Sequence, residues 1–399
     1  MKKITEHTVR GILTFSGSIT SLTVFLIVIF LFKEGLGLFS SPSVEKGYAL
    51  CLHASNPSEQ LTPQQIKQIF DLEITDWKDL GGNEGEIVPF RFDEIFSLYS
   101  DEELGEDYAL LPQRLGDVIA RTPSVIAYLP EQYLPVGNSS VKILPSMNIR
   151  PVDFFSGREW LPTATPSPQF GALPLIMGAL WVGFFAILIA LPLGLGVAVY
   201  MSELAGERIR KLFKPAIELL AGIPSVVYGF FGLVVLAPLI QKSLNLPVGE
   251  TAFAGSLILA IMALPTIITI AEDAMRCTPR MMREASLALG ATRWQTIYRV
   301  IVPYASSGIM AAVVLGIGRA VGETMAVLMV TGNAAVMPRS LFQSVRTIPA
   351  TIAAELGEAP AGGAHYRSLF LLGCILFILT TVISVSAELI SKRGHTNQN

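Results

Sequence analysis

Long apolar runs alternate with short polar segments along most of this chain, and one broad polar stretch interrupts them near the N-terminus. The first apolar run, residues 12–32, is about as long as the roughly 20 residues that a bilayer-spanning helix needs. More runs follow the polar stretch, at about 171–201, 216–240, 252–272, 303–331 and 368–391. The pattern therefore predicts six transmembrane helices, with a water-soluble unit inserted after the first of them.

The composition agrees with this pattern. Apolar residues make up 51% of the 399 residues and charged residues 15%, as is typical of membrane proteins. The net charge of −3 conceals an asymmetry, because residues 33–170 carry 20 acidic and 10 basic side chains while the remainder carries 12 acidic and 19 basic ones. An acidic part and a basic part thus share one chain. The basic side chains lie where membrane topology requires them, so nothing favours nucleic-acid binding.

The positions of the basic residues predict the orientation in the membrane. Lys2, Lys3 and Arg10 precede the first run, so we expect the N-terminus in the cytoplasm. This run is longer than the core of a signal peptide and no small-residue cleavage site follows it, which favours an uncleaved anchor. Further basic residues then fall in cytoplasmic segments: Arg208, Arg210, Lys211, Lys214, Arg276, Arg280, Arg283, Arg293, Arg299, Lys392 and Arg393. We expect a multi-pass protein with cytoplasmic N- and C-termini.

These runs divide the chain into parts. The parts are an N-terminal tail and first helix at 1–32, an extracytoplasmic α/β insert at 33–165, a five-helix core at 166–391, and a cytoplasmic tail at 392–399. Glycine and proline recur inside the apolar runs, which predicts closely packed and bent helices. Such a bundle suits a transporter better than a simple anchor. The cysteines, Cys51, Cys277 and Cys374, lie far apart and predict neither a disulfide nor a metal site.

A polar loop at residues 273–303 separates two of the apolar runs. Good helix formers precede Gly290, which can adopt the positive φ of a helix end. Pro303 closes the loop and suits the first turn of a following helix. The loop therefore predicts a short helix, a glycine turn and a second helix that enters the membrane.

The spacing in this loop resembles the EAA loop of ABC-transporter membrane subunits. That loop reads E-A-A, three residues, Gly, nine residues and I-x-L-P, and here the two ends read Glu-Ala-Ser and Val-Ile-Val-Pro. The resemblance implies a type I ABC importer permease fold. It also implies a coupling helix that sits in a groove of a separate ATPase, with contacts from Glu284, Ala285, Ser286, Gly290 and Pro303.

Two charged residues, Arg319 and Glu323, lie deep in the fifth apolar run. In a continuous helix, residues four apart share a face, so the spacing predicts that they lie close enough to pair. Charges at such depth normally face the bundle interior or an aqueous path. A guanidinium holds oxyanions well, so Arg319 is a candidate binding point for an anion whose attraction Glu323 would temper. The alternative is a buried pair that only fixes helix packing.

The residues around this pair resemble the PstC-type phosphate permeases of ABC importers. Three stretches carry the resemblance: GRAVGETMAV at 318–327, residues 170–205 and residues 156–162. It implies that Arg319, Glu323 and Thr324 line the substrate pathway for phosphate. It also implies an ATPase dimer that holds ATP and Mg, a homologous second permease subunit, an extracytoplasmic phosphate-binding protein, and a bacterial cytoplasmic (inner) membrane with its lipid.

The insert reads as a small α/β unit. Thr62, Pro63 and Gln65 predict a capped helix, and the later pattern predicts strands at 87–92 and 124–128 and a helix at 114–121. Residues 61–92 and 118–130 are similar to part of the secreted phosphate-binding protein family. That family follows the strand with an Arg-x-x-x-Ser-Gly-Thr loop, which holds phosphate at a helix N-terminus.

The insert lacks the phosphate-holding part of this pattern. Arg91 is followed by Asp93 and Glu94, and no Ser-Gly-Thr is present. Because carboxylates and the acidic charge of residues 33–170 repel anions, we expect that the insert does not bind phosphate itself. It either docks or regulates the separate binding protein, or it is a degenerate remnant with a packing role.

The sequence predicts a membrane-spanning permease subunit of an ATP-driven phosphate importer that works by alternating access. It has no G-x-x-x-x-G-K-[ST] phosphate loop, so we expect no ATPase activity and no cofactor in this chain, and hydrolysis by the partner. Two alternatives stay open: a permease for sulfate, molybdate or tungstate, and a permease-derived membrane sensor.

Overall fold

The computed structural model describes residues 2–82 and 84–396. It divides into two compact units. The membrane unit comprises Met1–Gly35, Leu173–Ala359 and Leu369–Asn399, and the insert unit comprises Leu36–Ala172 and Pro360–Ser368. The chain begins with the long helix α1 (Lys2–Leu36), which is continuous with the start of the insert unit.

The insert unit is built on a four-stranded sheet. Its strands are β1 (Tyr48–His53), β2 (Val88–Arg91), β3 (Val125–Pro130) and β4 (Val141–Leu144), in the spatial order β2-β3-β1-β4. Strand β1 pairs antiparallel with β3 and β4, whereas β2 pairs parallel with β3. The other elements are α2 (Pro63–Phe70), α3 (Ile95–Leu98), α4 (Asp101–Leu104), α5 (Leu111–Arg121), α6 (Pro151–Ser156) and the short pair β5 (Trp160–Leu161) and β6 (Gln169–Phe170).

Each face of this sheet carries a hydrophobic layer. Successive side chains of a strand point to opposite faces, so Leu50 and Leu52 pack with the α2 side while Cys51 packs with Leu115 of α5. Burial raises the pKa of the Cys51 thiol to about 12, and the thiol therefore stays protonated at neutral pH. The central strands are buried from both sides, which fixes their register.

The local predictions for the insert are confirmed. Thr62 Oγ1 accepts a hydrogen bond from Gln65 N at 3.3 Å, and Gln65 Oε1 accepts one from Thr62 N at 2.9 Å, so a capping box starts α2. The strand predicted at 87–92 is β2. The helix predicted at 114–121 is α5 and the strand predicted at 124–128 is β3.

The membrane unit consists of helices. After α1, these are α7 (Leu173–Val199), α8 (Glu207–Ala221), α9 (Ser225–Phe231), α10 (Ala237–Leu244), α11 (Ala252–Arg276), α12 (Arg280–Ala288), α13 (Arg293–Thr296), α14 (Val302–Tyr304), α15 (Ser306–Gly322), α16 (Met325–Val330), α17 (Ile348–Glu355) and α18 (Ala364–Thr396). Short π-helical turns at Tyr200–Leu204, Gly232–Leu236 and Ile297–Ile301 continue neighbouring helices.

Five helical segments in the described residues are long and apolar enough to cross a membrane: Leu13–Ser40, Leu173–Leu204, Ser225–Leu244, Ala252–Arg276 and Ala364–Ser386. A sixth span results when Arg293–Tyr304 and Ser306–Gly322, which meet at a bend of 71°, are counted together. The predicted fold class is therefore confirmed: an α-helical polytopic chain with a small α/β insert after its first helix.

Helix α11 is the centre of the membrane unit. It packs against α7 and α15 where those helices carry glycine. A Cβ atom at Gly194 of α7 or at Gly316 of α15 would lie 2.8 Å from a side-chain atom of Ile267. Small residues at such contacts let helix backbones approach closely, so Ile267 is enclosed by both neighbouring helices.

Two predicted spans differ from the structure. The apolar run at 216–240 is divided, because α8 ends at Ala221 and the span begins at Ser225. Pro224 lies between them and lacks the N–H that would continue the helix. The run at 303–331 is also divided, by the bend at Ala305 and by an extended residue, Glu323, after α15.

Two glycines of α7 test the close packing of this helix. A Cβ atom added at Gly178 would lie 2.3 Å from the carbonyl oxygen of Arg346, whereas one added at Gly196 meets nothing within 4 Å. We expect Gly178→Ala to lower the melting temperature of the detergent-purified chain because this contact must open. Gly196→Ala should preserve or raise it, since alanine favours a helix over glycine by about 0.5–1 kcal/mol. Equal melting temperatures for the two variants would contradict the close approach.

Candidate functional site

Two short helices joined by a glycine turn form the loop between α11 and α15. Gly290 follows α12 and has φ of +83°, which glycine adopts without the steric penalty of a Cβ atom. Thr292 then caps α13, since its Oγ1 accepts from Gln295 N at 3.2 Å and Gln295 Oε1 accepts from Thr292 N at 2.8 Å. The hydroxyl groups of Ser286 and Thr296 lie 3.0 Å apart and join the two helices. The predicted helix, turn and second helix are present.

Pro303 lies later in this arrangement than the sequence suggests. The second helix begins at Arg293 and continues through the turn Ile297–Ile301, whereas Pro303 lies in the first turn of α14. The chain bends by 71° directly after α14, at Ala305. Proline has no N–H to continue the helical hydrogen bonds and commonly kinks or ends a helix. Pro303 therefore marks the bend rather than the start of the second helix.

The loop exposes large apolar side chains. Met281, Leu289 and Trp294 are 80%, 89% and 62% exposed, and Glu284 and Ala285 on α12 are also exposed. Exposed apolar groups that cluster within a polar segment are typical of protein-interaction surfaces. The motif alone does not point to Met281, Leu289 or Trp294. The sequence feature that could have identified these three residues is their apolar character within an otherwise polar loop.

Behind this exposed face, Arg283 connects α12 to the membrane helices. Its Nη1 and Nη2 atoms each lie 3.1 Å from a carboxylate oxygen of Glu203, and Nη2 also donates to the carbonyl oxygen of Met275 at 2.8 Å. The side chains of Glu203 and Arg283 are only 9% and 24% exposed. The Nη1 atom donates a hydrogen bond to one oxygen of the carboxylate, and the second oxygen adds a close charge contact. A charge-assisted hydrogen bond fixes orientation as well as distance. Arg283 thus holds α12 to the ends of α7 and α11.

A second charged cluster surrounds Glu272 at the same end of α11. Its carboxylate is 2% exposed and lies 3.7 Å from Arg210, 3.4 Å from Lys214 and 3.6 Å from Arg276. Lys214 also donates to Asp273 at 2.9 Å, and this hydrogen bond raises the pKa of Lys214. Several cations around one buried carboxylate offset the desolvation of that group. The cluster fastens α8 to α11, a role that loop charges alone do not predict.

The structure does not pair Arg319 with Glu323, which corrects the sequence prediction. Helix α15 ends at Gly322 and Glu323 has an extended backbone, so the two side chains do not share a helical face. Arg319 Nη1 instead donates to Thr266 Oγ1 at 3.2 Å. Glu323 Oε1 accepts from Ala326 N at 3.4 Å. A carboxylate is favourable there because the first N–H groups of a helix lack intrahelical partners.

Arg319 is consequently a guanidinium with a hydroxyl partner only. Within residues 2–82 and 84–396, no carboxylate lies within ion-pair distance of it, and its side chain is half-buried. Thr324, the third predicted pathway residue, is also half-buried and its hydroxyl donates to the Gly322 carbonyl at 3.4 Å. A charge in a membrane-spanning segment requires a polar environment on its open side. This arrangement can attract an anion.

In the insert unit, the backbone N–H at the end of β2 is already hydrogen-bonded to a side chain of the same unit. Glu94 Oε1 accepts from Arg91 N at 3.2 Å. The Arg91 guanidinium lies 5.2 Å from the centre of the Phe70 ring and donates to Thr165 Oγ1 at 3.3 Å. A carboxylate of the unit thus accepts from the backbone N–H of Arg91, next to the segment where the sequence resemblance leads one to expect an anion. That the insert does not bind phosphate stays a prediction, and this geometry agrees with it.

Comparison with known proteins identifies similarity over the membrane part. Residues 190–394 match the family described as "Binding-protein-dependent transport system inner membrane component". The chain is 42% identical over 245 residues to the probable ABC transporter permease protein YqgH of Bacillus subtilis, which covers 61% of this chain and 79% of that protein. It is 41% identical over 254 residues to the phosphate transport system permease protein PstC of Mesorhizobium japonicum, covering 59% and 76%.

Among solved structures, an inward-facing MetNI methionine ABC transporter is similar with a TM-score of 0.42 and 21% identity, over 56% of this chain and 94% of that chain. The segment matched by the family contains Glu203, Arg283 and Arg319. Both the loop and the membrane arginine therefore lie in the part of the chain that the family defines.

The pair of Glu203 and Arg283 generates a prediction with a matched control. Glu203→Gln leaves a half-buried guanidinium without its charge partner, which we expect to lower stability by about 1–3 kcal/mol. Glu207→Gln removes a carboxylate whose partner Lys211 lies 3.7 Å away with both side chains exposed, so about 0–1 kcal/mol is expected. Thermal melting of the detergent-purified chain measures both.

A second variant distinguishes the ion pair from a general effect of substitution. The charge-swapped chain with Glu203→Arg and Arg283→Glu should recover part of the lost stability, because opposite charges again face each other. Equal melting temperatures for Glu203→Gln and Glu207→Gln would show that the pair does not fasten α12.

Proposed function

Because the chain belongs to the family of inner-membrane components of binding-protein-dependent transport systems, we propose that it is the membrane-spanning permease subunit of an ATP-driven phosphate importer. Relatives that are named phosphate transport permeases support phosphate as the cargo. The observation that carries the proposal is Arg319, a guanidinium within a span that, among the residues the structure describes, has a hydroxyl partner and no carboxylate within ion-pair distance.

Arg319 supplies the positive charge that phosphate needs inside the membrane. A guanidinium binds oxyanions through charge and through donors in a fixed plane, and the hydroxyl of Thr266 orients it at 3.2 Å. Glu323 is directed to the backbone N–H of Ala326, so it does not neutralise Arg319. Thr324 lies beside Glu323 and offers a hydroxyl to the passing anion. Because phosphate would be bound by one positive charge and not by an enclosing set of ligands, its binding stays weak enough for release.

Other subunits complete the transporter. The exposed apolar face with Met281, Leu289 and Trp294 fits a groove on an ATPase dimer, and ATP and Mg bind there rather than on this chain. A homologous second permease subunit completes the pathway, and an extracytoplasmic phosphate-binding protein delivers the cargo. ATP binding drives the permease pair outward and hydrolysis resets it. Movement of α12 reaches α7 through Arg283 and Glu203.

The chain is a multi-pass membrane protein, and we place it in the bacterial cytoplasmic membrane with both termini in the cytoplasm. This orientation puts the loop between α11 and α15 on the cytoplasmic side of the membrane, where ATP is present. The other oxyanions and the sensor function are not favoured, since several relatives of the membrane part are named phosphate transport permeases. A sensor would also have no use for an intact coupling loop.

The role of Arg319 is tested by uptake of labelled phosphate into cells that express the complete transporter. We expect Arg319→Gln to reduce uptake by about tenfold or more, because the positive charge that would attract the anion within the membrane is lost. Arg319→Lys should retain part of the activity, since it keeps the charge but not the planar donors. Sulfate and molybdate in excess should compete poorly.

Arg339→Gln is the control for this experiment, because Arg339 is an exposed arginine outside the described spans. It should transport phosphate normally. Normal uptake by Arg319→Gln, with the variant present in the membrane, would make Arg319 a packing residue. Absence of phosphate uptake by the native transporter would reject phosphate as the cargo.

The orientation is tested with a membrane-impermeant maleimide. Cys277, next to α12, is exposed, whereas Cys51 and Cys374 are buried. We expect labelling in inverted membrane vesicles and none in intact spheroplasts, since Cys277 would face the cytoplasm. A variant with Cys277→Ser identifies the labelled thiol, and labelling after denaturation gives the total. Labelling of Cys277 in intact spheroplasts would reverse the proposed topology.

A further inference from the structure

An aromatic ridge of four rings, Phe92, Phe96, Tyr108 and Tyr133, crosses the insert unit, with Phe92 and Tyr133 partly buried against the core and Phe96 and Tyr108 exposed. The Tyr133 ring stacks on Phe92 with centroids 5.6 Å apart, Phe92 meets Phe96 edge-on at 5.7 Å, and Phe96 meets Tyr108 at 5.8 Å. Phe96 and Tyr108 remain 43% and 42% exposed, and Leu98, which lies on α3 with Phe96, is 58% exposed. Single exposed apolar residues are ordinary, but a continuous row of rings is typical of an interaction surface.

The backbone keeps one of these rings at the surface. Asp107 and Tyr108 have φ of +53° and +60°, in the left-handed region that side chains other than glycine rarely adopt. The turn is closed by Leu110 N, which donates to the carbonyl oxygen of Leu104 at 3.0 Å. A relaxed turn would not require this conformation. The fold thus maintains Tyr108 in its exposed position at a conformational cost.

Carboxylates surround the ridge. Residues 91–110 contain seven acidic side chains and one basic side chain. All seven acidic residues are exposed: Asp93, Glu94, Asp101, Glu102, Glu103, Glu106 and Asp107. The basic residue, Arg91, lies over Phe70 and donates to Thr165. Outside this segment, Arg114 donates to the carbonyl oxygen of Glu103 at 3.2 Å, so one cation stands against the seven carboxylates there. An apolar centre with a strongly negative rim attracts a surface with the opposite rim charge.

This chemistry favours a soluble protein over a lipid surface. Anionic head groups attract basic segments, and the ridge offers carboxylates instead. Exposed aromatic side chains within a charged rim are the usual centre of a protein–protein interface. The family depends on a binding protein for its transport, which supplies a soluble component for such an interface.

We propose that the aromatic ridge and its carboxylates dock the soluble phosphate-binding protein, on a face of that protein where Lys and Arg surround an apolar centre. The inference rests on the proposed function and adds a site that it does not contain. The sequence leaves two roles open for the insert, docking of the binding protein and a packing role as a remnant. The proposal selects docking. The ridge would hold the loaded binding protein at the transporter and raise its local concentration.

The test measures binding of the purified phosphate-binding protein of the same system to the complete transporter in nanodiscs, by interferometry at low and high salt. We expect the double variant Phe96→Ser, Tyr108→Ser to weaken the affinity about tenfold or more, because interface aromatics carry most of the binding energy. Glu102→Lys with Glu106→Lys should weaken it similarly while leaving the rings in place. High salt should weaken binding to the native chain.

Matched controls use exposed residues of the same unit outside the segments that carry the ridge. Val152→Ser removes a side chain of α6 that is 67% exposed, and Glu59→Lys with Glu86→Lys makes the same charge change at exposed positions. Both should bind as the native chain does. Because the charge variants leave the aromatic contacts intact, they test the ridge even if the serine variants fold poorly.

Uptake of labelled phosphate by the same transporters separates failure of the docking site from failure of the proposed function. If the native transporter takes up phosphate and the ridge variants bind and transport as it does, the docking site is wrong and the permease function stands. If the native transporter takes up no phosphate, the proposed function is wrong. Altered self-association of the chain, with unchanged affinity for the binding protein, would make a second copy the occupant and overturn the inference.

Discussion

An ionised side chain in an apolar environment needs a partner, and the arginines of the membrane unit meet this need in different ways. Arg283 binds the two oxygens of Glu203 at 3.1 Å, and Arg346 lies 2.7 Å from Glu355. Among the described residues, Arg319 has a hydroxyl partner at 3.2 Å and no carboxylate within ion-pair distance. The first two arginines are paired within the chain and fasten its elements. The charge of Arg319 is left for the proposed anion, so the distinction between structural pairs and the proposed binding point follows from that difference.

The features that the sequence predicts best are those that short segments determine. Six spans follow from apolar length, the glycine turn follows from Gly290, and the helix start at Thr62 follows from its capping partners. The type I ABC importer permease class, inferred from the EAA spacing, is confirmed by the family match. Each of these depends on residues within a few positions of one another, so no knowledge of distant contacts was needed.

The features that the sequence does not predict depend on distant partners or on competition between partners. A four-residue spacing in an apolar run predicts a pair of Arg319 and Glu323, but the Glu323 carboxylate accepts from the start of α16 and the helix ends before it. Glu203 and Arg283 are 80 positions apart, so neither residue identifies the other. Likewise, the ring contacts in the insert unit become visible only when its loops are placed around the sheet.

The contact of α11 with its two neighbours has a mechanical meaning. Gly194 and Gly316 lie against the same side chain, Ile267, so neither α7 nor α15 can slide past α11 without first moving away from it. Glu203 follows α7 at one end of this assembly, and Arg319 lies on α15. The three helices are therefore interlocked at Ile267. A displacement of one of them requires the other two to move with it or to separate from it, so the contact couples the positions of α7 and α15 through α11.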